Sequence, residues 1–189
     1  NSKRDELIAE LAAVQSETSL HGKIALAEKL LGSSQVFIKL VASQAGLSQD
    51  REGAVRQMVE LITVETPKVT AALSEGRAIG SYSLAQGFLN SSASTAFDEL
   101  LLELEKLHAE YGLNLQASLN SSAQARTSLA TPAASSLETL KTIAVVFEDQ
   151  VVVADSLDTP WAQFYNDVST AMEQTYQLNS AVLVFLDKQ

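Results

Sequence analysis

The sequence contains no cysteine, which removes disulfides, thiol nucleophiles and thiolate metal sites together. Only 3 prolines and 8 glycines occur in 189 residues, too little turn punctuation for a β-sandwich. Basic residues are few, with 13 lysines and arginines against 23 aspartates and glutamates, a net charge of −10. No lysine- or arginine-rich run occurs, which argues against nucleic acid or an anionic lipid surface as partner, because both reward clustered positive charge. No stretch approaches the roughly 20 apolar residues of a membrane span, and no signal peptide is visible. Catalytic patterns are missing as well: there is no Gly-x-Ser-x-Gly and no glycine loop between strand and helix to hold phosphate. The chain opens on Asn1-Ser2-Lys3-Arg4 without a methionine and reads as a piece excised from a longer protein.

What is present is helical periodicity. Apolar residues make up 46% and charged residues 19% of the chain, an ordinary balance for a single domain (residues 1–189) with a sizeable core. From about Lys3 to Ala45, Leu20, Ile24, Ala27, Leu31, Ile38, Val41 and Ala45 recur at steps of three and four, with Ser34 filling one position. That spacing predicts a long helix with a bundle seam. Ala45 to Asp50 supplies a glycine stop and new caps, so a second helix starts near Arg51. Its seam reads Ile62, Thr66, Val69, Leu73, Gly76, Gly80, Ser83, Gly87. Glycine inside a helix costs about 0.5–1 kcal/mol relative to alanine, yet these glycines keep the stripe's spacing. They predict a helix-packing groove that lets a neighbour's backbone or aromatic ring come close. Pro67 predicts a kink or local irregularity in the same helix.

Ser94 or Thr95 is the expected cap of a third helix whose stripe is Phe97, Leu101, Leu104, His108, Tyr111, Leu115 and Leu119. Beyond Asn120 the chain is Ser/Ala-rich and weakly patterned. Pro132 fits a break or the first turn of a new helix, and Leu137–Ala154 is compatible with helix or strand. Asp158 or Thr159 caps a last helix with Pro160 at its first position, and its seam runs Trp161, Phe164, Val168, Met172, Thr175, Leu178, Val182 and Phe185 or Leu186. The expected fold is all-α: an elongated antiparallel four-helix bundle, or five segments where one helix is broken. At 1.5 Å per residue the first two helices would each be about 55–65 Å long.

Candidate chemistry is sparse. Glu105 and His108 have a Glu-x-x-His spacing, but a di-iron bundle needs two such motifs and two further glutamates, and His21 has no partner of this kind. No metal site, cofactor or catalytic residue is expected. The carboxylate pairs Glu103/Glu105 and Asp155/Asp158 fit solvated faces or caps, and an enzyme is not the favoured reading. Asn90-Ser-Ser and Asn120-Ser-Ser match the glycosylation pattern. Arg77 stands one residue past the groove, the only basic residue between Lys68 and Lys106; it suits an anion contact, an inter-helix lock, or a surface arginine whose stem covers the groove edge. Arg51 and Arg56 suit an anionic ligand at the second helix's start. Tyr82 completes the ligand-binding candidates.

The stretch Ser43–Gly87, "SQAGLSQDREGAVRQMVELITVETPKVTAALSEGRAIGSYSLAQG", resembles the extracytoplasmic sensor region of bacterial methyl-accepting chemotaxis receptors. The positions that carry the likeness are Leu47 and Asp50, then Pro67, then the Arg-x-x-Gly-Ser patch Arg77, Gly80 and Ser81. Thr159–Gln189 resembles the last sensor helix, which runs into a membrane span. A pair of tyrosines common in this subgroup is replaced here by Arg56 and Gln57. The resemblance implies a periplasmic ligand-binding domain between two flanking membrane spans of an inner-membrane receptor. It implies a homodimer that binds a small molecule and passes a helix displacement to a cytoplasmic signalling module. If the second helix descends from the membrane-distal tip, Arg77 lies about 40 Å below that tip, and Arg51 and Arg56 become the better anion candidates. A histidine-kinase sensor and a secreted helical carrier of an apolar ligand are the alternatives.

Overall fold

The computed structural model describes residues 2–44 and 53–188, apart from the side chains of Ser2, Leu20 and His21. The protein is all-α, and among the described residues there is no strand. It divides into two compact units, Asn1–Arg51 and Glu52–Gln189.

The first unit is a helical hairpin of α1 (Ser2–Ser16) and α2 (Leu20–Gln44). The single run expected from Lys3 to Ala45 is therefore broken. The break is local chemistry. The Glu17 carboxylate accepts the backbone N–H groups of Thr18 and Ser19, each at 2.8 Å, and the Ser19 hydroxyl accepts the N–H of Gly22 at 3.1 Å. Side chains thus satisfy donors that a continuing helix would have bonded internally. The same bonds, first the Ser19 N–H, hold the Glu17 carboxyl below the usual range. On α2 the predicted stripe is not buried: Ile24, Leu31, Ile38 and Val41 are each about half exposed (51%, 48%, 45% and 48%). Lys29 on α2 pairs with Glu10 on α1 at 3.3 Å. The Leu20 side chain and Ala45, at the ends of that stripe, lie outside what is described, as does the cap signal between Ala45 and Asp50.

The second unit is a four-helix bundle. Its first rod is continuous, made of α3 (Gly53–Glu60), a π-helical segment (Leu61–Glu65) and α4 (Thr66–Gln86). Pro67 accounts for the π segment. A proline ring clashes with the carbonyl four residues back, here Thr63, and widening the preceding turn relieves that clash. The Thr66 N–H accordingly bonds to the carbonyl of Leu61, five residues back. The irregularity expected at Pro67 is present, and the rod does not break.

α5 (Ser91–Asn120) starts earlier than expected because Asn90, not Ser94 or Thr95, is its cap, accepting the Ala93 N–H at 2.9 Å. α6 (Ala123–Phe147) takes in the weakly patterned stretch; the Ser122 hydroxyl caps it by accepting the Ala125 N–H at 3.0 Å. Pro132 lies inside α6 without ending it, since the carbonyl it leaves unbonded belongs to exposed Ser128. Leu137–Ala154 is no separate element: α6 runs through it into a second π-helical segment, Glu148–Val152. α7 (Trp161–Leu186) begins one residue after its expected first position, with Pro160 as the flanking residue.

The short connections 87–90, 121–122 and 153–160 make neighbouring helices antiparallel, and α7 packs back on the first rod. An even number of helices returns the chain to the end where the unit begins, so Gly53 and Leu186 share one end. The buried cluster includes Met58, Val69, Leu73, Phe97, Leu104, Phe147, Phe164, Val168 and Val182. Each large apolar side chain buried this way contributes about 1.5–3 kcal/mol. The last helix buries Phe164, Val168, Met172, Thr175, Leu178, Val182 and Phe185 as its periodicity predicts, while Trp161 is exposed.

Candidate functional site

The stripe of small residues on α4 is an internal socket. Gly76 is buried, and a Cβ there would overlap the Phe147 ring and lie 2.9 Å from Leu100 Cδ2. At Gly80 a Cβ would overlap the Phe164 ring. The three rings interlock: Phe97 meets Phe147 edge-on at 5.7 Å between centroids, and Phe147 meets Phe164 at 5.9 Å. The glycines thus admit aromatic rings, as their spacing suggests, but the rings fill the groove and leave no smooth surface. Ser83 continues the stripe and is buried. Gly87 does not. It is exposed, has φ +74, and caps the C-terminus of α4 through N–H bonds to Ser83 and Leu84 carbonyls. A left-handed cap is a conformation that glycine adopts without penalty.

Beside the socket, Arg77 reaches across to α7. Its Nη1 donates to the Ser169 hydroxyl at 2.7 Å, and its guanidinium carbon stands 4.5 Å from the centroid of the Tyr165 ring. The Ser169 hydroxyl in turn donates to the Tyr165 carbonyl at 2.6 Å, which leaves its lone pairs to receive Arg77. One guanidinium therefore ties the first and last helices of the bundle through both its edge and its face.

The other candidates do not gather around Arg77. Tyr82 is exposed and sits about 140° around the helix from Arg77. Arg56 is exposed on α3, about 30 Å down the rod. Arg51 lies outside the described residues. His108 is half-buried and Glu105 exposed; among the described residues no cluster of His, Asp and Glu could hold a metal ion. Glu103, Asp155 and Asp158 are exposed. Asn90 serves as a cap, and Asn120 accepts a hydrogen bond from Arg126 at 2.6 Å.

Sequence reasoning missed a buried polar layer in mid-bundle. Tyr111 on α5, Ser136 on α6 and Thr175 on α7 form a hydroxyl chain with 2.9 Å at each step. All three residues are fully buried. Burial pushes the Tyr111 phenol up to about 12; the Ser136 hydrogen bond opposes that rise, and the charge of Glu65 adds to it. Glu65, in the π segment, is itself buried and pairs with Lys68 at 3.0 Å. A signal existed: Thr66, Tyr111 and Thr175 all interrupt apolar seams with a hydroxyl.

In the first unit, a cleft of about 310 Å³ is lined by Lys3, Glu6, Leu7, Glu28, Lys29, Gly32, Ser33 and Val36. Its cations are already matched, with Lys3 on Glu6 at 2.6 Å and Lys29 on Glu10 at 3.3 Å. No helix among the described residues is long and apolar enough to cross a membrane. Comparison with protein-family models, with curated proteins and with solved structures gave no match for this chain.

Proposed function

We propose that this chain is the extracytoplasmic small-molecule sensing domain of a transmembrane chemoreceptor, relaying a helix displacement to a cytoplasmic signalling module. The observation that carries the reading is the seat of the Arg-x-x-Gly-Ser patch. Arg77 binds Ser169 and covers Tyr165, and Gly80 receives Phe164. The residues that carry the family likeness thus couple the first bundle helix to the last, the helix that would lead to the membrane. Packed interfaces of this kind switch between discrete arrangements, so a small shift at one is passed along a rigid helix. The common end of Gly53 and Leu186 supports a periplasmic unit that faces an inner membrane with one end.

The antiparallel course of α4 and α7 reverses one expectation. If α7 descends to the membrane, the first rod ascends, so Arg77 lies in the distal half and Arg56 in the proximal one. Arg77, not Arg56, is then the basic residue on the ligand side. A homodimer is part of the proposal. Ile24, Leu31 and Ile38 recur every seven residues on α2 and are exposed, the repeat that a coiled-coil seam requires. Lys23 and Glu28 flank that stripe at positions where two parallel copies would exchange charge. The carrier alternative has less in its favour, because Phe147 and Phe164 occupy the groove an apolar ligand would need.

The test is the parent gene together with a thermal-shift screen of amino acids, organic acids and nitrogen oxyanions. Membrane spans flanking this segment, and a hit that alters self-association in sedimentation, are the expected results. A parent gene encoding no membrane anchor on either side sinks the proposal.

A further inference from the structure

We infer that the bundle contains a built-in site for one ordered water molecule at the level of Thr66, between the π-helical turn and α7. Thr66 is fully buried, yet its Oγ1 has no hydrogen-bond partner within the protein. The Oδ1 of Asn179, a half-buried residue of α7, is likewise buried and without a partner. The two stand at one level. Ser74 contacts Met172, and Arg77 contacts Ser169, across the antiparallel pair; two turns back along α4 and two turns on along α7 bring Thr66 level with Asn179.

A third group belongs to the same place. The Thr66 N–H bonds to the Leu61 carbonyl, and Pro67 has no N–H to offer the Ile62 carbonyl. That carbonyl has lost both of its helical donors. Buried polar groups in folded proteins are almost always satisfied, and internal water making about three hydrogen bonds is the usual means. The chemistry balances. Water accepts from the Thr66 hydroxyl and donates its two protons to Asn179 Oδ1 and the Ile62 carbonyl. A π-helical turn opens the backbone where such a guest fits. The site lies about one helical turn along α7 from Thr175, the end of the Tyr111–Ser136–Thr175 chain.

The inference does not rest on the receptor reading and is tested separately. Oxygen-17 relaxation dispersion of the whole chain should show a long-lived internal water that disappears in Thr66→Val and persists in Thr66→Ser. In urea titrations, Thr66→Val and Asn179→Leu should each lower the folded-to-unfolded ratio by roughly 5-fold or more. The double variant should lose clearly less than the product of the two, because both remove partners of one molecule. If Thr66→Val does not fold, loss of the same water in Asn179→Leu carries the test. An unchanged dispersion signal, strictly multiplicative losses, or a crystal structure with Thr66 bonded directly to Asn179 overturns the inference.

Discussion

The ring of Phe164 occupies the space that any side chain at Gly80 would need. Helix propensity alone favours alanine there by about 0.5–1 kcal/mol, so a stabilising Gly80→Ala would mean that the ring yields freely. We expect the contrary, a loss of about 1–3 kcal/mol from overpacking, partly recovered by adding Phe164→Leu. Gly32 on α2 is the internal control, with nothing within 4 Å of an added Cβ. Gly32→Ala should stabilise by about 0.5–1 kcal/mol. Urea titrations of the two variants should move in opposite directions.

Arg77 should behave as a lock between α4 and α7. Its double contact predicts that Arg77→Ala costs about 1–2 kcal/mol, and that a cycle with Tyr165→Leu gives a coupling of about 0.5–1 kcal/mol. Arg77→Lys keeps the charge but loses the planar fork, and should recover less than half. Zero coupling in the cycle would reduce Arg77 to a surface residue.

Tyr111 predicts the alkaline behaviour. Its folded value is about 12 against an ordinary 10, so the folded state favours the protonated phenol. The stability this provides is present in full below pH 10 and is lost as pH rises from about 10 to 12, by up to ~1.4 kcal/mol per pH unit. Tyr111→Phe should flatten that slope while costing about 0.5–1.5 kcal/mol at neutral pH through the lost bond to Ser136. Chemical unfolding followed from pH 8 to 11.5 reads both effects.

Gly87 should resist substitution for a different reason than Gly80. Nothing crowds it, but its φ of +74 places it in the left-handed region. Gly87→Ala should therefore cost about 1 kcal/mol through the backbone alone, with Gly87→Asn costing less. Equal losses for both would point to a packing role.

Much of the architecture was legible along the chain. The seams of α4 and α7 were readable from the sequence apart from their ends at Gly87 and Trp161, which are exposed, because a helix repeats its buried face every three or four positions. The socket was readable from the spacing of Gly76 and Gly80, though not its occupants. Phe147 lies in a stretch equally compatible with a strand, and Phe164 is far away in sequence. The turn at Glu17–Ser19 was missed because it carries no glycine or proline and is made by the Glu17 and Ser19 side chains bonding backbone N–H groups. On α5 the expected Phe97, Leu104, Tyr111 and Leu115 are buried, but at the steps between them the buried face is turned by one position, to Leu100, Leu107 and Ser118 in place of Leu101, His108 and Leu119.

By itself the sequence determined that the fold is all-α and which face of most helices is apolar, since both follow from contacts within a turn or two. It also determined that two glycines on α4 must face something large or close. Only the tertiary structure decided that Phe147 and Phe164 fill those notches, that α4 and α7 run in opposite directions, and that the stripe of α2 is exposed. It alone brought Tyr111, Ser136 and Thr175 together in one buried hydroxyl chain. Periodicity is a local property of the backbone, whereas partners are chosen by connections and by fit between helices that the chain separates by dozens of residues.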